Sequence, residues 1–239
     1  MSDAAVSDPA MAGRLARIRE RIAAACARAG RDPAGVALLP VSKTFGADAV
    51  RQAAVLGLRR FGENKTQEIR DKAPALADCG ISWVMIGHLQ TNKAKDAARL
   101  VDEVQSLDRL ELAEALERRL QQEGRAIDVL VQVKTSPEAE KHGLAPEDLP
   151  GFLAQLRAFG SLRVQGLMTL AENSEDPDRV RACFRRLREL RERAARDAGL
   201  ALPRLSMGMS GDFEIAVEEG STEVRIGSAL FGARDYGAG

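Results

Sequence analysis

Val36-Ala37-Leu38-Leu39-Pro40-Val41 is a short apolar run that leads directly into Ser42-Lys43-Thr44. It reads as a buried strand ending on a charged junction. A helical segment over 47–56 follows, stops at Gly57, and gives way to a second short strand over 58–61. The same unit then recurs along the chain. Strands are predicted over 82–86, 103–106, 128–133, 163–167, 204–206 and 223–226. Between them lie predicted helices over 66–76, 92–100, 109–122, 146–158, 177–198 and 212–218. Asp108 is expected to cap helix 109–122. A leading helix over 12–29 carries Leu15, Ile18, Ile22 and Cys26 on one face.

Eight short apolar strands alternating with helices predict an α/β chain. It is a single-domain (β/α)8 TIM barrel with an extra N-terminal helix. The length of 239 residues suits one such barrel. The barrel is expected over 11–236, and residues 1–10 are expected to be disordered. An open doubly wound sheet is the alternative, but no G-x-G-x-x-G follows strand one.

Lys and Arg number 35, equal to Asp and Glu, so the net charge offers no long-range attraction to nucleic acid or acidic membranes. Aromatics are 4%, too few for base-stacking platforms. No apolar run approaches the ~18 residues of a membrane helix. Met1–Pro9 is polar and acidic, so no secretory signal is expected there. Cys26, Cys79 and Cys183 are odd in number and widely spaced, which fits a reducing, cytoplasmic setting.

In a barrel of this kind the functional face forms where strands end and βα loops begin. Lys43 sits at the first such junction. In water roughly one lysine in 2,500 is neutral at pH 7, and burial beside a core releases the lone pair for Schiff-base chemistry. The loops after strands seven and eight are the usual phosphate corner. Here they read Ser206-Met207-Gly208-Met209-Ser210-Gly211 and Gly227-Ser228-Ala229-Leu230-Phe231-Gly232. Glycine lets backbone N–H groups approach an anion, serine adds a hydroxyl, and a helix start behind Gly227-Ser228 would add its dipole. Arg225 lies one position before the last loop. His88 and His142 are the only histidines; they lie in separate loops, and no metal cluster is expected around them. The arginine-rich helix 178–198 has acids interspersed and reads as a solvated barrel helix. Tyr236, the only tyrosine, sits in a glycine-rich tail, and no catalytic role is expected for it.

Together, Val41-Ser42-Lys43-Thr44, Phe61-Gly62-Glu63-Asn64, Ile86-Gly87-His88-Leu89-Gln90-Thr91-Asn92-Lys93, Ser206-Met207-Gly208-Met209-Ser210 and Val224-Arg225-Ile226-Gly227 resemble a known set of signatures. They look like those of the pyridoxal phosphate homeostasis proteins, also called the proline synthase co-transcribed family. The match runs from about Val36 to Tyr236. The resemblance implies a barrel like the N-terminal domain of alanine racemase and pyridoxal 5'-phosphate as cofactor, held as an aldimine on Lys43. It further implies phosphate contacts from Ser210, Gly227 and Ser228. It sets Arg225 near the pyridine nitrogen and Asn64 and Met207 along the pocket. Lys65, Val84 and Lys134 depart from the family pattern, outside the lysine and phosphate motifs.

The function expected is a monomeric protein that holds the cofactor and buffers or delivers it, with PLP-dependent apo-enzymes as partners and no turnover of its own. An amino-acid racemase-like enzyme is the alternative. The lone tyrosine in the tail leaves it without a placed second base. A cofactor-free Schiff-base aldolase is a third reading, in which the two serine-glycine loops would serve a substrate phosphate.

Overall fold

The computed structural model describes residues 8–138 and 141–232. The strands are β1 Ala37–Pro40, β2 Arg60–Glu63, β3 Ser82–Met85, β4 Glu103–Leu107, β5 Ile127–Gln132, β6 Leu162–Met168, β7 Arg204–Ser206 and β8 Glu223–Ile226. They form one parallel sheet in the order β1-β8-β7-β6-β5-β4-β3-β2. β1 and β2 meet through a single parallel bridge, Val41 to Gly62, where Ser42 N–H donates to Gly62 O at 3.1 Å. That bridge brings the two ends of the sheet together, and the fold is the expected (β/α)8 barrel.

The helices are α1 Pro9–Arg28, α2 Ala47–Val55, α3 Thr66–Lys72, α4 Ala94–Leu100, α5 Leu110–Glu123, α6 Leu149–Leu156, α7 Pro177–Ala198, α8 Phe213–Glu218 and α9 Ser228–Phe231. Asp8 caps α1, its carboxylate accepting from Ala10 N–H at 2.8 Å. The helix therefore begins at Pro9, inside the stretch expected to be disordered; residues 1–7 of that stretch lie outside the described residues. α1 buries Met11, Leu15, Ile18 and Ile22 and packs on α8 and α9. At about 1.5–3 kcal/mol for each large aliphatic side chain, this face holds α1 firmly to the barrel. Arg181, Arg185 and Arg188 of α7 pair with Glu218 or Glu219 at the end of α8, as in Arg181 to Glu218 at 2.6 Å. No helix among the described residues is long and apolar enough to cross a membrane.

Two local expectations are corrected. β2 begins at Arg60 rather than residue 58, because Leu58 N–H is still bonded to Ala53 O at the end of α2. Gly62 and Glu63, expected in a loop, are therefore strand residues, and Glu63 is fully buried. Asp108 does not cap α5. Arg109 occupies that position without a side-chain cap, and Asp108 turns its carboxylate to Arg109 instead.

The barrel interior is also less apolar than the strands suggested. Glu103 and Glu223 are buried near its lower end, each paired with both Arg60 and Arg204 at 2.6–2.9 Å. Gln105 donates to both glutamates and accepts from Ser206 Oγ at 2.7 Å. Ser206 in turn accepts from Arg225 at 2.8 Å. A continuous polar chain thus runs up the interior to the functional rim.

Candidate functional site

Lys43, Asn64, Ser210, Arg225, Gly227 and Ser228 lie at the C-terminal ends of β1, β2, β7 and β8 or in the loops that follow. In the closed barrel these are neighbouring strands, so the six occupy one arc of the rim. Met207 follows β7, but its side chain is wholly enclosed in the core.

Lys43 is half-buried, less than its strand-end position suggested. No hydrogen bond or ion pair holds its amine among the described residues. The backbone around it is tightly held. Thr44 has φ +70°, a conformation β-branched residues avoid at a cost of about 1–3 kcal/mol. Its N–H donates to Glu68 Oε2 at 2.8 Å, which offsets part of that cost. Phe45 stacks on Phe231 of α9 with centroids 4.9 Å apart, tying the lysine junction to that helix.

Beneath Lys43 lies a buried network that the sequence reading missed. Ser42 Oγ donates to Glu63 Oε1 at 2.7 Å. Lys72 Nζ donates to Glu63 Oε1 at 2.7 Å, to Ser42 O at 2.9 Å and to Glu68 Oε2 at 3.2 Å. Burial pushes the Glu63 carboxyl up to about 7, against the opposing pull of Lys72 and Ser42. Burial also works to raise Glu68, but the Thr44 N–H and Lys72 outweigh it and leave that carboxyl below its usual range. Glu63 yields a pH prediction. Its folded value lies above the unfolded one, so the folded state binds the proton more tightly, and stability is lost as pH rises from about 4.5 through about 7. The difference is roughly 3 kcal/mol. Urea midpoints across that window should fall with pH relative to Glu63→Gln; parallel curves for the two proteins would contradict the assignment.

Arg225 is buried on β8. Its Nη1 donates to Ser206 Oγ and its Nη2 to Thr169 O, both at 2.8 Å, and no salt bridge holds it among the described residues. Burial pushes the guanidinium down to about 10, with Glu223 and Asp212 pulling the other way. It remains a cation at neutral pH.

The two glycine-serine turns are open to an anion. Among the described residues no acceptor takes the N–H groups of Ser210, Gly211, Ser228 or Ala229. Gly208 adopts φ +97°, and a Cβ there would lie 2.6 Å from that of Ala216, so the first turn requires glycine. Gly87 serves the neighbouring rim. A Cβ on it would sit 2.3 Å from Asn64 O, so only glycine lets the loop after β3 close on the end of β2.

The two histidines are brought together by loop packing. His88 and His142 come from separate loops, yet their rings stack with centroids 3.9 Å apart and 17° between planes. Asp108 Oδ2 lies 3.8 Å from His88 Nδ1. Burial and the neighbouring His142 lower the basicity of His88, and Asp108 opposes them. Tyr236 lies outside the described residues.

The family model for the alanine racemase N-terminal domain matches residues 14–235. A pyridoxal phosphate homeostasis protein of Pseudomonas aeruginosa is 46% identical over 228 residues, which are 95% of this chain and 97% of that one. Another, from Aquifex aeolicus, is 44% identical, covering 93% of this chain and 98% of its own. PipY of Synechococcus elongatus, solved with PLP bound, superposes with a TM-score of 0.80 at 38% identity, over 90% of this chain and 100% of that one. Fold, rim motifs and near-full-length identity agree, and the chain belongs to the pyridoxal phosphate homeostasis protein family.

Proposed function

We propose that this chain binds pyridoxal 5'-phosphate on the β7-β8-β1-β2 arc and acts as a carrier that buffers the cofactor and delivers it to PLP-dependent apo-enzymes. The observation that carries this reading is one arrangement. Lys43, whose amine has no partner among the described residues, sits on a strained, tightly held turn, and two neighbouring turns offer an anion N–H groups that no described residue accepts. That donor set fits a phosphorylated aldehyde.

When bound, the cofactor supplies an aldehyde that condenses with amines and a ring that withdraws electrons. Lys43 would hold the aldehyde through Nζ. Ser210, Gly227 and Ser228 would bind the phosphate through backbone N–H groups and hydroxyls. Arg225 would face the ring nitrogen as a donor that does not readily give up its proton, leaving that nitrogen unprotonated. Asn64 would border the ring, and Met207 would back it from the core. Three free cysteines suit a reducing cytoplasm, and we read the chain as a monomer.

Two measurements test the reading. Cofactor should pass from the loaded protein to several apo-enzymes faster, or with better protection from scavenging amines, than free cofactor does. Transfer indistinguishable from free cofactor would refute the carrier role. If no second base stands across the ring from Lys43, the chain should also show no turnover. Solvent deuterium exchange at Cα across a panel of amino acids should not exceed that of free cofactor; rapid exchange that depends on Lys43 would favour the racemase-like alternative.

A further inference from the structure

We propose that His88, Asp108 and His142 form a binding site for a borderline divalent transition metal of the zinc class, on the rim segment formed by the loops after β3, β4 and β5. This inference does not depend on the cofactor reading, which concerns the adjoining arc. Each of the three residues offers one ligand atom, and these atoms all lie within 4.8 Å of one another. A tetrahedral ion with bonds of ~2.0–2.1 Å needs donors about 3.4 Å apart. Both imidazoles are exposed, so ring rotation can close that gap without moving the backbone.

The backbone that carries each of the three ligand residues is anchored. Arg109 donates to Asp108 Oδ1 at 2.6 Å and to Leu89 O at 2.7 Å, joining the loop of His88 to that of Asp108. The His142 carbonyl accepts from Gln132 Nε2 at 2.9 Å. One residue beyond, Gly143 has φ +137°, and a Cβ on it would lie 2.9 Å from Lys134 N, so the turn packs directly on the end of β5. The carboxylate keeps Oδ2 toward His88 while Arg109 occupies Oδ1. The guanidinium opposes a dication electrostatically, and it also fixes the carboxylate, as outer-shell partners of metal ligands do.

The donor set selects the class of ion. Two imidazoles and one carboxylate suit zinc, cobalt, nickel or copper, whereas magnesium and calcium prefer oxygen ligands. Three protein ligands leave at least one position for water or an exogenous ligand.

The test is a titration of tag-free protein with Co2+, followed by visible absorption and equilibrium dialysis, with and without added pyridoxal phosphate. Saturable uptake of one Co2+ per chain is expected, with ligand-field bands present in both cofactor states. Affinity should fall about tenfold or more in His88→Asn and in His142→Asn. Cys79→Ser, which removes the half-buried thiol, should bind as wild type does. Unchanged metal-free thermal midpoints would confirm that the histidine variants fold. Absence of saturable binding, indifference to both histidine substitutions, loss in Cys79→Ser, or uptake that requires the cofactor would each overturn the proposal.

Discussion

Borohydride reduction of the cofactor-loaded chain, followed by peptide mass analysis, should place the pyridoxyl adduct on Lys43, and Lys43→Ala should lose it entirely. The expectation rests on which amines are available. Lys72 is buried against Glu63 and Glu68 and also donates to Ser42 O, so all three of its N–H donors are engaged and it is held away from the rim. Lys141 pairs with Glu138 and the Ala171 carbonyl. Lys65 and Lys93 are exposed beyond β2 and β3. Lys43 has no such competing partner among the described residues, and its position is set by the strained Thr44 peptide, the Glu68 contact and the Phe45–Phe231 stack. The effect is close to all-or-none, because a nucleophile removed by substitution leaves no neighbour held in its place. An adduct on Lys65, Lys93 or Lys134 would sink the assignment.

The barrel was legible in the sequence because its signal is local. Each strand is a short apolar run, each helix shows a 3.6-residue period, and eight such units have few other ways to bury their faces. The rim was legible for the same reason, since Lys43, Ser210, Gly227 and Ser228 each mark the end of a strand that can be read alone. What escaped was whatever needs the barrel to close. Glu103 and Glu223 meet Arg60 and Arg204 across the interior, from strands far apart in the chain. The Glu63–Lys72 pair depends on β2 starting two residues later than its apolar residues indicated, which turns a loop carboxylate into a buried one. His88 and His142 lie in separate loops of the sequence, and only loop packing stacks their rings. The signals that could have found Glu63 and Lys72 were present: a carboxylate in an apolar strand end, and a lysine four residues after Glu68, one helical turn away.

Pyridoxal should bind at least about 100-fold more weakly than pyridoxal 5'-phosphate, and Lys43→Ala should still bind the phosphorylated form without a covalent bond. A hydrogen bond to a charged group is worth ~1.5–3 kcal/mol, so two or more of them amount to ~3 kcal/mol or above, a factor of 100 or greater. The turns at Ser210-Gly211 and Ser228-Ala229 have N–H groups with no acceptor among the described residues, and an anion that satisfies them regains what folding left unpaired. α9 spans only Ser228–Phe231, so these donors, rather than the dipole of a long helix, carry the attraction. Because the backbone supplies much of the contact, Ser210→Ala and Ser228→Ala should each weaken binding by about tenfold, the worth of one hydroxyl, and not abolish it. Isothermal titration of both vitamers against wild type, Lys43→Ala and the serine variants measures all of these quantities. Equal affinity for pyridoxal and its phosphate would place the anchor at Lys43 and remove the two turns from the site; loss of all binding in Lys43→Ala would do the same.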